Sequence, residues 1–211
     1  MATIESDEDV YDDWSALAPS YQDVFLPRFQ PMYDTIAHYI VKKIQSKDTN
    51  DEYKVLDYGT DQRQMLRNFF QQLKPNGLFI SSHWPHPSQV PFLSILKRVA
   101  HFMATGQRID TAHLESDASF ICWPEDITKN KFIAENFKIE RWITVDLPMS
   151  FPDIRTLLSF WRMDKWFTDS SLYLKAEKET IRILRQDFHL ELKSNESFEL
   201  LSKAIVVVAC K

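Results

Sequence analysis

Glycine is almost absent from the 211-residue chain, which holds three: Gly59, Gly77 and Gly106. So few flexible positions leave no glycine-rich loop of the kind that cradles phosphates. Cysteine is as sparse. Cys122 and Cys210 lie far apart and offer neither a disulfide framework nor a metal-ligand set, so inert thiols and no metal are expected. No stretch comes near the ~20 apolar residues of a membrane span. The acidic start MATIESDEDV lacks the apolar run of a signal peptide. A soluble, cytoplasmic protein with no membrane partner is therefore expected. Positive charge is not in excess either: the net charge is −5, which gives no general electrostatic reason to expect nucleic acid as a partner.

What is present suits a globular protein. An apolar fraction of 44% over this length can bury a real core. Residues 1–13 form an acidic tail, and residues 14–211 are expected to make one domain. Pro31 is placed at the first turn of a helix carrying Met32, Ile36, Tyr39, Ile40 and Ile44 on one face. From Tyr53 to Trp84 the pattern is strand, amphipathic helix, turn and strand, a parallel βαβ unit. Asp61 and Gln64 are placed to cap its helix. Met65, Leu66, Phe69, Phe70 and Leu73 form the face that packs on a sheet. The stop at Pro75-Asn76-Gly77 uses residues that accept a left-handed backbone.

Further along, 91–136 and 150–187 read as helical cap elements. Ile127, Phe132 and Ile133 are expected inward on a helix over 126–136, and Ile181 and Leu184 on a later one. Residues 137–147 alternate with period two as a strand. The run from Ala204 to Cys210, AIVVVAC, suits a central strand.

Four segments carry a resemblance to a known family: WSALAPSY at 14–21, VLDYGT at 55–60, MLRNFFQQLKPNGLFISSHW at 65–84, and the pieces PEDI, NFKIERW and ESFELLSKAIVVVACK. Together they resemble the class I S-adenosylmethionine-dependent methyltransferases that act on small molecules, and the third segment is the most specific. The resemblance implies an α/β domain with a truncated Rossmann-like methyltransferase fold, about four strands under a helical cap. It orders the strands as Val55, Leu78, Ala204 and Phe137, with the last two antiparallel. It also implies S-adenosylmethionine as cofactor and methyl transfer to a small-molecule substrate. The chain departs from the family in one place. Gly59 is followed by Thr60, Asp61 and Gln62, where relatives add a second glycine. The chain then passes straight to the helix before the family's fifth strand. Each omitted βαβ step needs about 30 residues, so no room remains for the strand that ends in a ribose-binding acid.

By the resemblance, Tyr21, Asp57 and Gly59 match cofactor-binding positions. His83 follows the fifth strand, where a general base would stand, and Trp84, His86 and Trp161 fall on the substrate side. Structural roles remain open beside these: Asp57 as a helix cap, Tyr21 and Trp161 as packing residues, the two histidines as surface loop. A metal at His83 and His86 lacks a third ligand. Two functions stay open as well. One is a methyltransferase, shortened by splicing or by divergence. The other is a non-catalytic binding or regulatory partner that associates through an exposed Val55 edge strand.

Overall fold

The computed structural model describes residues 26–45, 62–115, 125–159 and 169–211. Among them are seven α-helices and three strands, a mixed α/β fold. In chain order these are α1 Leu26–Gln45, α2 Gln62–Gln72, β1 Leu78–His83, α3 Pro91–Thr105 and α4 Thr111–Glu115, then α5 Glu125–Ala134, β2 Lys138–Phe151, α6 Ile154–Leu158, α7 Ser170–Phe188 and β3 Phe198–Cys210. A short 3-10 turn, Pro87–Gln89, follows β1.

The three strands form one antiparallel sheet in the order β1-β3-β2. β1 and β3 pair from Leu78↔Cys210 to His83↔Ile205. The central place falls to β3, whose residues from Ala204 to Ala209 are all buried. An apolar run without alternation is what a strand covered on both faces requires. The order of these three agrees with the sequence expectation. The Val55 strand, and with it the parallel pairing and the edge, lies outside the described residues.

The chain divides into two compact units. One contains α2, β1, α5 and the paired parts of β2 and β3 up to Leu147 and from Lys203. Its core brings Leu66 of α2 and Phe132 of α5 together with Phe79, Phe137, Ile205, Val207 and Ala209. Phe79 stands 5.1–5.9 Å, centroid to centroid, from Phe69, Phe132 and Phe137. Offset and tilted aromatic contacts at such spacing favour this kind of cluster. The other unit contains α3, α4, α6 and α7, and α3 packs along α7. Arg98 of α3, only 5% exposed, pairs with Asp187 and donates to the Ile109 carbonyl at 3.0 Å.

Several local expectations are corrected. α1 starts at Leu26, so Pro27 occupies the first turn and Pro31 sits inside the helix. The amide that Pro31 lacks would have met the carbonyl of Pro27, so the loss is confined to one bond near the helix start. On α5, Thr128 and Phe132 are buried, whereas Ile127 is 40% and Ile133 61% exposed. The inward face follows the four-residue step from 128 to 132, and both isoleucines fall off it. On α7 the buried residues include Ala176, Thr180, Ile183 and Leu184, with Ile181 at the margin. α6 spans five residues, capped by Asp153, which accepts from the Thr156 amide at 2.7 Å.

Candidate functional site

The stop after α2 sets where β1 begins, and β1 sets the site. Asn76 takes the left-handed conformation with φ 62°. Gly77 donates to the Lys74 carbonyl at 2.8 Å. A methyl group on Gly77 would stand 2.8 Å from that same oxygen, so glycine is required there by close approach and not by its own φ. Lys211 donates from Nζ to the Leu73 carbonyl at 3.0 Å, tying the end of α2 to the end of β3.

Along β1, side chains alternate between faces. Phe79, Ser81 and His83 share the face that meets the aromatic cluster. His83 Nε2 lies 2.9 Å from Ser81 Oγ, and its ring meets Phe132 edge-on at 5.9 Å. Withdrawal from water, with the nearby charge of Lys131 second, lowers the His83 pKa from 6.5 to about 4. His83 is therefore a neutral imidazole at physiological pH. It can accept a proton, but with less driving force than a base matched to neutral pH.

Trp84 and His86 follow at the carboxyl end of β1. His86 caps the 3-10 turn: its Nδ1 accepts from the Ser88 amide at 3.3 Å and lies 2.7 Å from Ser88 Oγ. That bond places the proton of the neutral ring on Nε2. Of the four residues predicted for the substrate side or base, His83, Trp84 and His86 line one cleft of about 190 Å³. Glu125 and Thr128 of α5, Trp142 and Thr144 of β2, and Lys203 and Ile205 of β3 complete its walls. Glu125 is ion-paired with Lys129, whose ammonium also lies 5.0 Å from the Trp142 ring centroid. Tyr21, Asp57, Gly59 and Trp161 lie outside the described residues.

Lys203, Thr128 and Thr144 were not singled out by sequence. Lys203 carries one legible sign, a charge at the head of the run AIVVVAC. In β3 the buried positions are Phe198, Leu200 and Ser202, and then every residue from Ala204 to Ala209. Lys203 stands where that pattern changes.

Could these residues hold S-adenosylmethionine? The cleft of about 190 Å³ is smaller than the ~300–1,000 Å³ usual for ligands of drug or cofactor size. Glu125, the single acid among its described lining residues, is engaged by Lys129. By volume the described lining of this cleft suits a small molecule. Among the described residues, no group of three or more His, Cys, Asp or Glu could hold a metal ion. No described helix is long and apolar enough to cross a membrane.

No protein-family model matches the chain, and no curated protein matches it. Among solved structures, the YcgJ protein from Bacillus subtilis is similar with a TM-score of 0.39 and 15% identity. The match covers 72% of this chain and 58% of that one, so the chain spans less than two thirds of that protein's length. A likeness this loose carries no argument.

Proposed function

We propose that the chain is an internally shortened domain of the S-adenosylmethionine-dependent methyltransferase type, which keeps the acceptor-binding side and acts as a small-molecule binding module. The observation that carries this is the meeting of His83, Trp84 and His86 in one polar cleft at the carboxyl end of β1. Open α/β sheets present ligand-facing residues at that end of their strands. The order β1-β3-β2 supports the same lineage, because the family resemblance orders those strands that way. By that lineage the cofactor would supply the methyl group, Tyr21, Asp57 and Gly59 would contact it, and His83 would take the acceptor's proton. Trp84, His86 and Trp161 would hold the acceptor. The small cleft and the missing second glycine argue against methyl transfer by this chain alone. Catalysis would need a donor site from a partner chain, and the Val55 edge is where such a chain would pair.

A fragment screen by ligand-observed NMR tests the binding module. Small polar aromatic fragments are expected to bind the wild-type protein and to lose affinity in Trp84→Ala. Absence of any fragment sensitive to that substitution would overturn the proposal.

A further inference from the structure

We infer that the cleft at the end of β1 takes a small carboxylate. Among the described residues its walls hold one cation, Lys203, and one acid, Glu125. Lys203 contributes an ammonium with no carboxylate partner among the described residues. Glu125, the only acid among the described lining residues, is bound to Lys129. Trp142 holds an indole N–H that is buried with no acceptor among the described residues. The hydroxyls of Thr128 and Thr144 can donate as well. A carboxylate answers such a lining because it only accepts, through two oxygens, and its bonds to charged donors are the strong ones. An ammonium ligand would face the like charge of Lys203.

Size narrows the class further. The cleft's volume of about 190 Å³ lies below the ~300–1,000 Å³ usual for drug-sized ligands. That is room for one ring or short chain with its charged group, and Trp84 and Trp142 supply flat walls for a ring. Assigning this carboxylate to the methyl acceptor rests on the function proposed above. The binding itself does not.

Benzoate, benzamide and benzylamine share a ring and differ in charge, so they serve as probes. The full chain is labelled with ¹⁵N, and the Trp142 and Trp84 indole resonances are assigned with Trp142→Phe and Trp84→Phe. Benzoate is expected to shift the Trp142 resonance saturably, benzamide to bind about tenfold more weakly, and Lys203→Gln to weaken benzoate by about tenfold. Lys203→Arg should retain binding. Benzylamine binding as well as benzoate, or Lys203→Gln binding benzoate like the wild type, would overturn the inference. If benzylamine or benzamide moves the Trp84 resonance while benzoate does not, the carboxylate is wrong and the binding module survives. Silence of both indoles toward every probe would remove the two together.

Discussion

His83 shows how one residue's surroundings decide what it can do. Burial beside Phe132 holds its pKa at about 4 against an ordinary 6.5. The unfolded chain therefore takes up a proton between those values and the folded chain does not. Stability from this residue is fully present above about pH 6.5 and falls as the pH drops toward 4, by up to about 3 kcal/mol. His83→Gln should remove that slope, which chemical unfolding at pH 7, 5.5 and 4.5 would measure. An unchanged slope in the variant would place the titration elsewhere. Gly77 makes a second test at this scale. Gly77→Ala brings a methyl to 2.8 Å from the Lys74 carbonyl and should cost about 1–3 kcal/mol in thermal or chemical unfolding.

His83, Trp84 and His86 share a cleft because they are neighbours in sequence at the end of β1. Thr144 and Lys203 were not singled out for the cleft, because they reach it from two other strands and only the pairing brings them near. Ile127 and Ile133 show the opposite failure. An apolar residue on a helix does not reveal by itself whether its face is covered.

Among the elements, α5 and β1 depend on each other through Phe132, which is 1% exposed and meets Phe79, Phe137 and His83. Phe132→Ala should destabilise by about 3–5 kcal/mol. It should also alter the pH slope of His83, since it opens the wall that keeps that ring dry. The α3–α7 pair depends on Arg98 and Asp187. Arg98→Ala strands a partly buried carboxylate and an unmet Ile109 carbonyl, with an expected cost of about 3 kcal/mol.

Helix stops were legible unevenly. Asn76 and Asn136, with φ of 62° and 66°, are residues that tolerate the left-handed region. His189 adopts φ 56° at the end of α7, where Leu190 donates to the Leu184 carbonyl at 3.1 Å. Nothing in a histidine announces such a stop. His189→Gly should stabilise the protein by about 0.5–1 kcal/mol, because glycine carries no penalty there. A lower melting temperature for this variant would contradict that account.

At the scale of the molecule, the order of β1, β3 and β2 agrees with the order that the resemblance implied. β3 announces its central place by lacking a polar face, and β2 its outer one by alternating. In the proposed function an internal shortening counts as much as the sheet: it would remove the segment that binds the donor, while the His83 end of β1 keeps its cleft.

Calorimetric titration of the purified chain with S-adenosylmethionine, run beside a thermal melt, tests that claim most directly. A cooperative melt that the cofactor leaves unmoved, with no saturable heat, is the predicted result. Saturable binding with a raised melting temperature would contradict it, because the chain would then hold its own methyl donor and would be an enzyme in its own right.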